Sequence, residues 1–289
     1  MDRNLQDVID LLDLEQIEEN IFRGQSRDIG TPQVFGGQVL GQALAAASRT
    51  VAGRFVHSLH AYFLQRGDVA APIIYEVDRA RDGGSFTSRR VVAIQHGAQI
   101  FNLAASFQAP ESGLEHQTRM PSVAPPEELP DIVELAQGAA ELPDRMKRFL
   151  NFRRPFIVKP LDPAQFLGGS RLKPTKRVWM KAVDRLPDDE ALHTALFAYL
   201  SDYELIGTAT LPHGLHATRF GLQMASLDHA MWFHRPLRVD DWMLFDLRSS
   251  NASGGRGLAH GHVFARDGRL LATLAQEGLI RERKPAAAG

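Results

Sequence analysis

Apolar positions in this chain follow a helical rhythm and then an alternating one, and that order is written twice. Residues 36–51, GGQVLGQALAAASRTV, carry Ala, Leu and Gln with apolar residues at helical spacing, which predicts a helix. Residues 88–108, SRRVVAIQHGAQIFNLAASFQ, alternate apolar and other residues on either side of His96-Gly97, which predicts a long β-hairpin. The second round begins with LHTALFAYLSDYELIGTATL at 192–211 and ends with GRGLAHGHVFARDGRLLATLAQEG at 255–278, whose turn is Asp267-Gly268. Helices this apolar on all sides must be buried, so each half is expected to curl a sheet around its helix. Ser201 followed by Glu204 has the capping-box spacing and predicts a fresh helical start beside Asp202.

A shared phrase ties the halves together. Residues 58–67 read SLHAYFLQRG and residues 226–236 read SLDHAMWFHRP. Ser58 precedes Ser226 by 168 positions, His60 precedes His229 by 169, and Gly97 precedes Gly268 by 171. The small drift points to a residue inserted near Asp228, and it pairs Ser58 with Ser226 and His60 with His229. The turn offset of 171 sets Gln276 against Ala105. Between the halves, residues 109–131 hold five prolines and read as a mobile linker. Residues 132–150 regain helical character, RRPFIVKPLDP at 153–163 is extended, and WMKAV at 179–183 opens a strand. The expected organisation is an N-terminal repeat at 1–108, a linker with a helical segment at 109–163, and a C-terminal repeat at 164–289.

Composition narrows the function. The chain has 289 residues, 44% hydrophobic and 23% charged, with a net charge of −1. That balance gives a folded core and argues against binding nucleic acid by bulk charge. Cysteine is absent, which removes disulfides and thiolate chemistry and fits a reducing, cytoplasmic setting. The N-terminus, MDRNLQDVIDLLDLEQIEEN, is acidic and amphipathic, unlike a signal peptide, and no apolar run approaches the ~18 residues of a membrane span. The histidine pairs His57/His60, His213/His216 and His260/His262 lack acidic partners or an HExxH pattern, so no metal and no other cofactor is expected. No G-x-S-x-G elbow is present, and Ser226, Asp228 and His229 stand too close on one strand to form a hydrolase triad.

The chain resembles the acyl-CoA thioesterase II family over nearly its full length. The likeness rests on FRGQS (22–26), VFGGQVLGQAL (34–44), VHSLHAYFLQRGD (56–68), SFTSRRV (85–91), ASFQAPE (105–111), LDHAMWFHRP (227–236) and AQEGLIR (275–281). It implies an α+β double hotdog: two tandem repeats, each an antiparallel sheet wrapped around a long central helix, with an acyl-CoA thioester bound where they meet. It also implies a catalytic group of Asp202, Ser226 and Gln276, with Ser226 where many relatives carry Thr. Homodimers or homotetramers are expected of such a fold.

The chemistry suits those residue types. An ionised Asp can take a proton from water, a hydroxyl and a carboxamide can hold that water, and N–H groups at a helix start can polarise the thioester carbonyl. Read singly, Asp202 also fits a helix N-cap, Ser226 a strand-edge hydroxyl and Gln276 an exposed strand position. Candidate substrate-binding residues are Gly36 and Gly37, for close backbone approach, and Arg89 and Arg256 for the CoA phosphates, with Arg66, Arg90 and Arg235 behind them. The alternative is a hotdog that binds acyl-CoA without hydrolysing it, or a hydratase. Hydratases of this fold use an Asp/His pair in a helix-borne motif, and no His follows Asp202.

Overall fold

The computed structural model describes residues 1–29, 33–138, 154–167, 170–214 and 222–282. Its helices are α1 (Arg3–Leu12), α2 (Gly36–Ser48), α3 (Ile132–Gly138), α4 (Ala164–Leu167), α5 (Glu190–Ser201) and α6 (Leu205–Thr208). Its strands are β1 (Glu15–Glu18), β2 (Ile21–Gly24), β3 (Phe55–Phe63), β4 (Ile73–Asp82), β5 (Phe86–Gln95), β6 (Ala98–Gln108), β7 (Phe156–Pro160), β8 (Thr175–Ala182), β9 (Leu222–Ser226), β10 (Asp228–Phe233), β11 (Met243–Ser253), β12 (Arg256–Ala265) and β13 (Leu270–Glu282). The predicted helix over 139–150 lies outside the described residues.

The strands form one antiparallel sheet in the order β1-β2-β4-β5-β6-β3-β10-β13-β12-β11-β8-β7, with β9 also on β13. Outwards from the β3–β10 seam the two sides mirror each other: β3-β6-β5-β4-β2 answers β10-β13-β12-β11-β8. At the seam Leu59 pairs with Met231, His60 with Ala230 and Ala61 with His229. A local two-fold axis therefore passes at His60 and Ala230. The hairpin turn at His96 (φ 50) and Gly97 (φ 75) has two positive φ values in succession, the type I′ geometry that suits twisted strands.

α2 and α5 lie side by side against the inner face, and this is the expected α+β double hotdog. Their backbones come too close for side chains at the crossing. A Cβ on Gly37 would sit 2.3 Å from Tyr199 O, and one on Gly41 would sit 3.0 Å from Ala195 O. Inward residues of both halves, among them Leu59, Val91 and Leu103 on one side and Met231, Val263 and Leu274 on the other, join the helices in one core.

Facing corrects part of the expected alignment. His60 is exposed while His229 is fully buried, so the two histidines are not counterparts. Inward Leu59 and Ala61 correspond to inward His229 and Met231, an offset of 170. A slip of one residue exchanges the faces of a strand. The offset of 171 does hold on β6 and β13, where Ala105 and Gln276 both face inward. Val56 pairs with Phe107 beside a bulge at His57, and Ser226 pairs with Gly278. Ser226 therefore corresponds to Val56, and Ser58 belongs to the seam opposite Trp232.

The linker also differs from expectation, because its residues find partners on the outer face of the C-terminal half. Gln117 donates to Gly268 O and accepts from Leu270 N–H, and Trp179 Nε1 donates to Ala124 O. Met120, Val123 and Leu129 pack on Trp179, Leu244 and Phe264. β7, within the segment expected as linker, pairs with β8 at the sheet edge.

Candidate active site

Asp202 is the C-cap of α5. The fresh helix start predicted at Ser201 does not form there, because the Ser201 hydroxyl donates back to Ala198 O within its own helix (2.8 Å). The next helix begins at Leu205. The N–H facing Asp202 comes instead from the start of α2. Gly37 N–H donates to the carboxylate, and a Cβ on Gly36 would stand 2.7 Å from Asp202 Oδ2. Asp202 thus lies between the negative end of α5 and the positive end of α2.

The other two members of the predicted trio meet it there. Gln276 on β13 donates from Nε2 to Asp202 Oδ1 at 2.5 Å and to Ser226 Oγ at 3.0 Å. Ser226, at the end of β9, donates to Asp202 Oδ1 at 3.4 Å. Asp202 is 8% exposed and Gln276 0%. Burial raises the Asp202 pKa from 3.8 to about 6, against the opposing pull of the bonds from Gln276, Gly37 and Ser226. The carboxylate is ionised at neutral pH and more basic than a free Asp.

His229, set aside in the sequence as part of a triad, is a fourth neighbour. Its Nδ1 lies 3.9 Å from Asp202 Oδ1 and its Nε2 lies 3.0 Å from Ser201 Oγ. Burial lowers its pKa to about 3, so the ring is neutral and the approach to Asp202 is not an ion pair. His229 binds Ser201 and not Ser226, so the Ser226–His229 relay of a serine nucleophile is not assembled. Aromatic rings wall the same region: Phe35 lies 5.1 Å from Tyr199 and 5.3 Å from Tyr203, between ring centres. The available sequence signal was the inward alternation of His229 and Met231, and the four-residue spacing of Tyr199 and Tyr203.

Gly36 and Gly37 stand at the trio. The arginines do not. Arg89 is 2% exposed and spends its donors on Thr50, Asp82, Arg81 O and Ser88 O. A buried guanidinium so fully bonded has nothing left for a phosphate. Arg256 is half-exposed on the outer face, paired with Glu277 at 3.0 Å. Arg235 donates to Leu270 O, and Arg66 and Arg90 are exposed. A cavity of about 520 Å³ opens at the other end of the helix pair, among Ser48, Arg54, His57, Gln108, Glu190 and Arg235. It lies away from the Asp202–Gln276 cluster, where the chemistry-bearing groups converge.

Known proteins share this sequence and shape. The acyl-CoA thioesterase family matches residues 147–279, and the acyl-CoA thioesterase N-terminal domain matches residues 24–108. Acyl-CoA thioesterase 2 of Haemophilus influenzae is 44% identical over 279 residues, covering 96% of this chain and 98% of that protein. The crystal structure of an acyl-CoA thioesterase II from Mycobacterium marinum superposes with a TM-score of 0.80 at 43% identity, covering 96% of this chain and 99% of that one. A hotdog-fold protein of unknown function from Alicyclobacillus acidocaldarius, 21% identical, shares the fold with a TM-score of 0.76 over 96% of this chain and 99% of its own.

Proposed function

The chain belongs to the acyl-CoA thioesterase II family and hydrolyses acyl-CoA thioesters, and we propose that Asp202 is the general base of that hydrolysis, held in place by Gln276 and Ser226. The observation that carries the reading is the convergence of both donors on Asp202 Oδ1 in a buried site. Those bonds fix the carboxylate, and burial makes it basic enough to take a proton from water while it stays ionised at pH 7.

Water loses one proton to Asp202 as its oxygen attacks the thioester carbon. The carbonyl electrons move onto oxygen, where Gly36 N–H at the start of α2 stabilises the charge, Gly37 N–H being given to Asp202 and Gln38 N–H to Phe35 O. An oxyanion donor of this kind is typically worth ~3 to 4 kcal/mol. The tetrahedral intermediate then collapses, the C–S bond breaks, and protonated Asp202 returns its proton to the departing thiolate. The products are a carboxylic acid, a fatty acid on this reading, and CoA. This differs from the expected geometry in two respects. The N–H offered to the carbonyl oxygen comes on this reading from α2, in the other half from the base. Gln276 and Ser226 bond to the base itself, while Gln276 keeps its Oε1 free of protein partners.

Release of CoA, followed with a thiol reagent, tests the assignment cleanly because the chain has no cysteine. Asp202→Asn should lower kcat by at least ~100-fold, the scale of a lost general base, with the fold unchanged by circular dichroism. Near-parental turnover would remove Asp202 from the role. The same assay across acyl lengths reads the substrate preference. A homodimeric or homotetrameric state and a cytoplasmic location are further proposals. Exposed Tyr62 and Leu64 at the sheet centre support the first, and the cysteine-free composition supports the second. No helix among the described residues is long and apolar enough to cross a membrane.

A further inference from the structure

His229 has no part in the trio, yet it is fully buried against the base. Ala230 pairs with Ala275, so the neighbours His229 and Gln276 stand side by side on the inner face. The hydrogen bonds around His229 set its tautomer. With the Ser201 hydroxyl hydrogen on Ala198 O (2.8 Å) in preference to Met231 Sδ (3.6 Å), Ser201 Oγ is the acceptor for His229 Nε2–H at 3.0 Å. Nδ1 is then a bare lone pair, 3.9 Å from Asp202 Oδ1, which is itself an acceptor. A hydrogen donor placed between two acceptors that close satisfies both.

Among the described residues, three buried side-chain polar atoms have no hydrogen-bond partner: Gln165 Oε1, His229 Nδ1 and Gln276 Oε1. Two of the three are here. A buried acceptor without a partner destabilises the fold, and two of them converging on the base mark a place for a hydrogen donor. Both Gln276 hydrogens are already spent on Asp202 and Ser226, which holds the amide oxygen in place as an acceptor.

We propose that His229 positions the attacking water, accepting its second hydrogen at Nδ1 while Asp202 takes the first. This rests on the reading of Asp202 as base. The water then has one hydrogen on the carboxylate, one on the imidazole, and a lone pair left to meet the thioester carbonyl. Gln276 Oε1 flanks the same hydrogen as a weaker acceptor. Only the proton bound for Asp202 leaves the oxygen. The second hydrogen stays on it and departs with the carboxylic acid, and His229 is neutral throughout.

Two amides separate the two ring nitrogens. His229→Asn places an acceptor where Nδ1 stands and nothing at Nε2. His229→Gln reaches Ser201 as Nε2 does and leaves the Nδ1 position empty. The Asn variant should retain the larger share of kcat. The Gln variant and His229→Leu should each lose roughly 3- to 10-fold in kcat, the scale of one neutral hydrogen bond made to the reacting water, with KM within ~2-fold. Thermal melting is followed on all three, so that any loss of fold is seen apart from loss of turnover. Gln equal to or better than Asn would show that only the Ser201 bond matters, and would overturn the proposal. Full activity in all three, or losses that appear only in KM or only with unfolding, would do the same. Asp202→Asn is assayed alongside. If that variant turns over normally the base assignment fails. If it is inactive while the Asn and Gln variants rank the wrong way, only the role of His229 fails.

Discussion

Removing the charge from Asp202 should make the protein more stable at neutral pH while it stops catalysis. Burial raises the Asp202 pKa from 3.8 to about 6, which means the folded protein disfavours the ionised form. Each pKa unit corresponds to about 1.36 kcal/mol, so at pH 7 the ionised carboxylate costs the fold up to ~3 kcal/mol. Asn keeps an oxygen for the donors on Gly37, Ser226 and Gln276 but accepts more weakly than a carboxylate, which offsets part of the gain. The expected net gain for Asp202→Asn is about 1 to 3 kcal/mol at pH 7.5. Its pH dependence has a definite sign. Between pH 6 and 3.8 the folded parent holds a proton on Asp202 that the unfolded chain has released, so the parent gains stability as pH falls through this window. The advantage of the variant should therefore shrink below pH 6 and be gone near pH 4. Urea unfolding of both proteins at pH 7.5, 6, 5 and 4 measures it. A parent more stable than the variant at pH 7.5, or a gap that ignores pH, would refute the reasoning that burial dominates this site.

Other outcomes follow from the same geometry. The acid limb of kcat/KM should bend near pH 6 and fall tenfold per unit below it, because only the ionised Asp202 accepts a proton; a rate–pH series on the parent reads this, and a limb near pH 4 would contradict it. Ser226→Ala and Gln276→Ala should each lower kcat, and the double variant should lose less than the product of the two, since both act on one carboxylate. Ser226→Thr should keep substantial activity, and intact-mass spectrometry during turnover should find no acyl adduct; a trapped acyl-serine would make Ser226 a nucleophile. Titration with a non-hydrolysable acyl-CoA analogue should give one productive site per chain, and Ser58→Ala should leave kcat within a few-fold, because Ser58 lies at the seam opposite Trp232.

The fold was legible because its signals are local and repeated. Apolar helices, alternating strands and glycine turns recur in order, and the 171-residue offset survives in the inward-facing pair Ala105 and Gln276. The trio was legible through the resemblance, since no spacing in the chain brings residues 202, 226 and 276 together. Three things were not. Capping-box spacing at Ser201 and Glu204 is a local propensity, and the buried last turn of α5 overrode it. The pairing of His60 with His229 followed letters where the sheet follows faces, and one residue of slip decides the face. Arginines in a glycine-bearing hairpin look like phosphate binders in sequence, because sequence does not show which of them a fold will bury.

Arg89 accounts for the expectation of one productive site per chain. It pairs with Ala105, as Ala259 pairs with Gln276, so it occupies in the first half the place beside the missing carboxamide. Its guanidinium bonds to Thr50, just past the end of α2, as Asp202 follows the end of α5. Where the second half sets a carboxylate beside an amide, the first half sets a buried cation and its partners. The second half has a further device. β9 and β10 part at Leu227, and Asp228 accepts Glu277 N–H at 2.6 Å across the break, with Leu227 O accepting Phe63 N–H from the other half. The matching stretch of β3 passes with only a bulge at His57. The break lets Ser226 end one strand facing Asp202 while His229 enters the next facing the same carboxylate. The acid present only in the second phrase is therefore structural: it satisfies the backbone where the strand is interrupted, and the interruption is what brings a hydroxyl and an imidazole to one side of the base.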